Sequence, residues 1–150
     1  MSLEALKAIP GNSTQSIYKI IKNCSLSEDD EEKLMKYIQS KKKIFISTPF
    51  SKAAVDRLIK FNIPAFKIGS GEWNNLDLIE YICKFKKPII MSTGMSNLND
   101  LKKTVNFINK KKIPLALMHC TNVYPTPLEK SRLNSITIMQ KTFKNNIIGY

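Results

Sequence analysis

The sequence predicts a parallel α/β fold, and three observations carry that prediction. Short apolar runs alternate with helical stretches at roughly two dozen residues, the rhythm of βα units. Four of the runs also give way at their C-terminal ends to a small polar cluster. These are Ser47-Thr48 after Lys43-Ile44-Phe45-Ile46, Gly69-Ser70-Gly71-Glu72 after Ala65-Phe66-Lys67-Ile68, Ser92-Thr93-Gly94 after Pro88-Ile89-Ile90-Met91, and Thr121-Asn122-Val123-Tyr124 after Leu115-Ala116-Leu117-Met118. Third, Ile147-Ile148-Gly149-Tyr150 reads as a further strand beginning where the sequence stops. The rhythm suits either an open doubly wound sheet or an arc of a (β/α)8 barrel. A full barrel needs about 250 residues, so 150 residues would supply part of one, with the edge strands of the arc unpaired.

Residues 1–27 read as irregular, with Pro10-Gly11-Asn12 as turn chemistry and a short helical piece near Ser16 to Lys22. Ser27 is a good N-cap, and Asp30 with its acidic neighbours opposes the positive end of a helix that carries Leu34, Tyr37 and Ile38 to about Ser40. The strand at Ile44 follows. Ala54, Val55, Leu58 and Ile59 share one face of a helix over Lys52 to Lys60, and further helices are expected at 76–85, 98–109 and 133–143.

The apolar and charged fractions, 43% and 24%, are those of an ordinary soluble globular unit. The apolar stretches are strand-sized, well short of the roughly 20 residues of a membrane span, and no signal-peptide pattern opens the chain. A cytoplasmic protein is expected. Cys24, Cys83 and Cys120 are odd in number and unmatched in spacing, which suits reduced, buried thiols better than disulfides or a zinc site. The net charge of +12 invites a nucleic-acid partner or an anionic substrate. Its lysines, however, fall in runs such as 41–43, 84–87 and 110–112 at helix ends and connections, with no interleaved aromatics to form a stacking platform. Neither a nucleic-acid nor a membrane partner is expected.

In a parallel α/β fold the C-terminal ends of the strands fall on one side, where such folds place their active sites. With a period of two, Lys67 shares a face with Ala65 and Gly69, while Phe66 and Ile68 face the other way. A lysine withdrawn there must be neutral or meet an anion. Three readings follow: it binds a phosphate or carboxylate, forms a Schiff base, or pairs with a neighbour such as Glu72. Small hydroxyls and free N–H groups at successive strand ends suit an oxyanion or phosphate pocket, although the same sequences also cap helices. His119 is the only histidine and reads as a core residue bonded locally, since one histidine makes no strong metal site unaided.

Four motifs in order, Phe45-Ile46-Ser47-Thr48-Pro49-Phe50-Ser51, Lys67-Ile68-Gly69-Ser70-Gly71-Glu72, Ser92-Thr93-Gly94-Met95 and His119-Cys120-Thr121-Asn122-Val123-Tyr124-Pro125-Thr126-Pro127, closely resemble the sialic acid synthase (N-acetylneuraminate synthase) family. Ile9-Pro10-Gly11-Asn12, Ser16-Ile17-Tyr18 and the acidic helix start extend the resemblance over nearly the whole chain. Asn74-Asn75 leans toward the sialic acid branch over the legionaminic and pseudaminic ones, while Trp73 departs from the pattern.

The resemblance implies a TIM-barrel enzyme that condenses phosphoenolpyruvate with N-acetylmannosamine to give N-acetylneuraminate and phosphate. A divalent metal, manganese or magnesium, would polarise the sugar aldehyde. Carried onto matching positions, Thr48, Lys67, Ser70, Ser92 and Asn122 hold phosphoenolpyruvate, Tyr124 faces the sugar, and Glu72 is the candidate acid or base. The family's metal-binding histidines lie beyond Tyr150, one of them in a Ser-Asp-His following the last strand. The first two barrel strands, the last one and a C-terminal antifreeze-like domain have no counterpart here. The chain is therefore expected to represent about units three to six of a (β/α)8 barrel from an enzyme that is a homodimer at full length, and to be inactive alone. The alternatives are a non-enzymatic piece that self-associates through open sheet edges and a Schiff-base aldolase using Lys67.

Overall fold

A computed structural model describes residues 6–9 and 13–150, so the expected turn at Pro10-Gly11-Asn12 lies outside the described residues. The chain divides into two compact units, residues 1–43 and 44–150.

In the first unit, α1 (Ile17–Cys24) starts at Ser16, whose hydroxyl accepts from the Lys19 N–H, and buries none of its residues. Helix α2 (Glu28–Ser40) starts at Ser27, which accepts from the Asp30 N–H and donates to the Asp30 carboxylate at 2.7 Å. Four acidic residues fill its first turn, where the helix dipole favours negative charge. Cys24 is exposed, contrary to the expectation of three buried thiols, because α1 buries no face at all.

The second unit alternates helix and strand: α3 (Lys52–Lys60), β1 (Phe66–Ile68), α4 (Leu76–Cys83), β2 (Ile89–Ser92), α5 (Leu98–Lys110), β3 (Leu115–Met118), a 3-10 turn (Leu128–Lys130), α6 (Asn134–Thr142) and β4 (Ile147–Gly149). The sheet runs β1-β2-β3-β4 in chain order, parallel throughout. The expected strand at 43–46 does not join it. Phe45 is buried against Phe61, in the alternating pattern of a strand. Its segment, however, makes one backbone bond to β1, Lys67 N–H to the Ser47 carbonyl at 3.4 Å, and one long bond does not make a ladder.

Register explains the two faces of the sheet. Phe66, Ile89 and Leu115 align, as do Ile68, Met91, Leu117 and Ile148, and all of these but Ile148 are buried. They face the helices, which contribute Val55, Leu58, Ile79, Ile82, Val105 and Ile108 to the core. Each such side chain contributes about 1.5–3 kcal/mol by leaving water. Between these rows lies Lys67, Ile90, Ala116 and Ile147, where Ile147 is 74% exposed. A parallel sheet with helices on one face alone is the geometry of a barrel wall, whose other face lines the lumen. The structure is a four-stranded partial (β/α)8 barrel.

Candidate functional site

Lys67 stands at the centre of the candidate site because the period-two alternation of β1 turns Phe66 and Ile68 into the helix layer and leaves the lysine on the lumen face. Its ammonium donates to the Ser92 hydroxyl, from the end of β2, and to the Ile68 carbonyl at 3.2 Å. Burial lowers its pKa below the usual lysine value, and the nearby Cys120 thiol, when ionised, acts the other way. No ion pair reaches Lys67 among the described residues. The salt bridge to Glu72, one of the three readings of this lysine, is not made.

The loop glycines show how closely the remaining groups approach. A Cβ on Gly94 would sit 2.2 Å from Asn122 Oδ1 and 2.8 Å from Ser70 Oγ. Any side chain at Gly94 would therefore displace both. A Cβ on Gly69 would lie 3.7 Å from Thr48 Cγ2. Five of the expected residues, Thr48, Lys67, Ser70, Ser92 and Asn122, thus gather at the C-terminal ends of adjacent strands and of the segment before them. Their hydroxyls, amide and ammonium present hydrogen-bond donors to a small anion.

Glu72 and Tyr124 are placed differently. The Glu72 N–H donates to the Gly69 carbonyl at 3.0 Å, closing a turn, and its carboxylate accepts from Asn75 Nδ2 at 2.7 Å. Asn75 is also the N-cap of α4, so one amide fixes both the helix start and the carboxylate. Tyr124 is 85% exposed and precedes a cis peptide bond to Pro125.

His119 is buried, and its Nε2 lies 2.8 Å from the Ser131 carbonyl. A carbonyl can only accept, so Nε2 carries the proton and is no metal ligand in this state. Among the described residues no group of three or more His, Cys, Asp and Glu side chains could hold a metal ion. The described residues by themselves supply no site for the divalent metal implied by the resemblance. Cys120 is half-buried rather than a core residue, because β3 ends just before it.

A cavity of about 630 Å³ adjoins this cluster, lined by Thr93, His119, Asn122, Lys130, Arg132 and Met139 among others. Gly94, Lys130 and Arg132 were not among the expected site residues. Gly94 carried a signal, a glycine directly after two hydroxyl residues at a strand end. The two cations carried none, because a short 3-10 turn and the residues just after it have no periodicity to announce them. No helix of the described residues is long and apolar enough to cross a membrane.

Comparison with known proteins decides the family, since a profile described as NeuB family matches residues 4–150. The chain belongs to the NeuB family. It is 38% identical over 109 residues to the N,N'-diacetyllegionaminic acid synthase of Campylobacter jejuni, covering 71% of this chain and 32% of the relative. It is 30% identical over 129 residues to the N-acetylneuraminate-9-phosphate synthase of Mus musculus, covering 86% and 36%. Among solved NeuB-like structures, the N-acetylneuraminic acid synthetase of Leptospira borgpetersenii superimposes with a TM-score of 0.82 at 26% identity, over 88% of this chain and 46% of that one. The chain spans less than half the length of each of these relatives. Its homologues are synthases of sialic acid-like sugars.

Proposed function

We propose that this chain is the phosphoenolpyruvate-binding part of an enzyme that condenses phosphoenolpyruvate with N-acetylmannosamine, or a related acylamino sugar, to give a sialic acid and phosphate. In this reading C3 of phosphoenolpyruvate attacks the aldehyde carbon of the open-chain sugar, water adds at C2, and the C–O bond to phosphate breaks. The observation that carries it is Lys67, an ammonium without a described carboxylate partner, bonded to Ser92 at the end of β2, with Ser70 and Asn122 meeting beside Gly94 and Thr48 beside Gly69. Lys67 and Ser92 hold the phosphate and carboxylate of phosphoenolpyruvate, and Ser70, Asn122 and Thr48 close the cradle. Glu72, oriented by Asn75, moves the proton, and Tyr124 at the rim meets the sugar. The printed names of the relatives, a legionaminic acid synthase and an N-acetylneuraminate-9-phosphate synthase, support the product class.

The reading extends to the whole enzyme: the remaining barrel strands, the metal ligands, manganese or magnesium between them, and a C-terminal antifreeze-like domain belong to a longer, cytoplasmic homodimer. The test is calorimetric titration of the 150-residue chain with phosphoenolpyruvate, with phosphate release measured in a longer version supplied with N-acetylmannosamine and manganese. Binding by the short chain and turnover by the long one are expected. Absence of phosphoenolpyruvate binding removes the reading, and trapping of pyruvate on Lys67 by borohydride would replace it with Schiff-base chemistry.

A further inference from the structure

The segment between β3 and α6 carries Asn122 of the cradle, yet no bond of its own holds that amide. Asn122 is exposed, and its side chain makes no hydrogen bond among the described residues. Its Oδ1 meets the Ser70 hydroxyl beside Gly94. No backbone–backbone hydrogen bond joins residues 120–131 to the rest of the chain among the described residues. The place of Asn122 is therefore set by what fixes the two ends of this loop.

Two side chains fix them. His119 donates from Nε2 to the Ser131 carbonyl at 2.8 Å, and Thr121 from Oγ1 to the Lys130 carbonyl at 3.3 Å. His119 is itself pinned to the sheet. Its N–H donates to the Gly149 carbonyl at 2.9 Å, and its ring is buried and lies 5.9 Å from that of Tyr150 between centroids. The returning limb is braced from within, where the Lys130 N–H donates to the Pro127 carbonyl at 3.0 Å and the Ser131 hydroxyl to the Leu128 carbonyl at 2.7 Å. Residues 119–131 thus form a short loop closed across its neck, of the kind packed by its own side chains. Water competes less for the bond of a buried donor than for the longer, more exposed one of Thr121, so the histidine is the stronger tie.

We propose that His119 is a positioning residue: it latches the loop across its neck and so holds the Asn122 amide in the cradle where phosphoenolpyruvate binds. The proposal rests on the condensation reading and adds to it a residue that touches no substrate. Its Nε2 is engaged by Ser131, and its effect on the ligand passes through the loop.

The test is calorimetry with phosphoenolpyruvate on the 150-residue chain and its variants. His119→Phe keeps a ring against Tyr150 but has no donor, and should bind phosphoenolpyruvate about fivefold more weakly, the size of one neutral hydrogen bond. His119→Gln offers an amide donor at similar reach and should recover most of that loss. In an Asn122→Ala background His119→Phe should cost no further affinity, because the latch acts through that amide. A merely structural histidine would cost the same in both backgrounds. Equal binding by His119→Phe and the unsubstituted chain, no recovery in His119→Gln, or an undiminished loss beside Asn122→Ala overturns the proposal. A ligand-free arm keeps the two readings apart. Opening of the latch in His119→Phe should speed tryptic cleavage after Lys130 several-fold relative to cleavage after Lys103 in α5, and His119→Gln should reverse the change. If the unsubstituted chain binds no phosphoenolpyruvate, the condensation reading falls alone and this ratio decides the latch, an unchanged ratio in His119→Phe overturning it.

Discussion

Lys67 is a cation partly withdrawn from water with no carboxylate to meet it, and two consequences follow at this residue. Its pKa in the folded chain lies below the usual 10.5, chiefly through burial. Between the folded value and 10.5 the unfolded chain binds more protons, so this lysine makes stability rise with pH there; below that window its charged form is a standing cost. Lys67→Met should therefore leave the urea midpoint unchanged or raised, while phosphoenolpyruvate affinity falls about tenfold or more. In the unsubstituted chain that affinity should decline as pH climbs through the lowered pKa, because the neutral amine offers no charge to the ligand. Gly94→Ala tests the neighbouring contact. Its new methyl would overlap Asn122 Oδ1, and chemical denaturation should show a loss of about 1–3 kcal/mol together with weaker phosphoenolpyruvate binding.

Among the elements, the helix starts show why Thr48, Ser70 and Ser92 are not taken up in capping. Ser51, Asn75 and Asn97 cap α3, α4 and α5 by accepting the N–H groups of Ala54, Leu78 and Asp100. Each cap lies a few residues beyond its polar cluster, so Thr48, Ser70 and Ser92 do not cap these helices. The helix ends account for the lysine runs. Lys42, Asn62, Lys86 and Lys112 all take left-handed backbones, φ 51° to 56°, at the position after a helix where glycine is usual. Their N–H groups reach back to the Gln39, Ile59, Cys83 and Asn109 carbonyls, and the lysines also set positive charge at the negative end of the helix. Lys112→Gly should relieve the left-handed strain, raising unfolding free energy by about 1 kcal/mol or less once glycine's own entropy is subtracted. A urea melt would show it, and a loss of stability would mean the charge at the helix end outweighs the strain.

For the molecule as a whole, the excess of positive charge is a field rather than a fold determinant. With +12 overall, phosphoenolpyruvate affinity should fall several-fold between about 0.01 M and 0.15 M salt, as the screening length shrinks from about 30 Å to about 8 Å. An affinity indifferent to salt would confine the attraction to the immediate neighbourhood of Lys67. The partial barrel also explains why the lysine face is uncovered: the helix-facing rows are buried up to Leu115 and Leu117, while the row through Lys67 ends at exposed Ile147.

Residue periodicity by itself determined the βα order, the faces of β1 and the extents of the helices: 52–60 was read without error, and the other ends agree within a few residues. It also placed the polar clusters holding Ser70, Ser92 and Asn122 after strands, since a period of two is a local property, while the choice of these residues with Thr48 and Lys67 came from the family resemblance. Tertiary structure alone decided that the 43–47 segment makes one bond to β1, through Ser47, instead of a ladder, that Glu72 turns to Asn75 instead of Lys67, and that Lys130 and Arg132 line a cavity. Each of these depends on which of several nearby partners a backbone or side chain meets, a choice made by packing between segments distant in sequence.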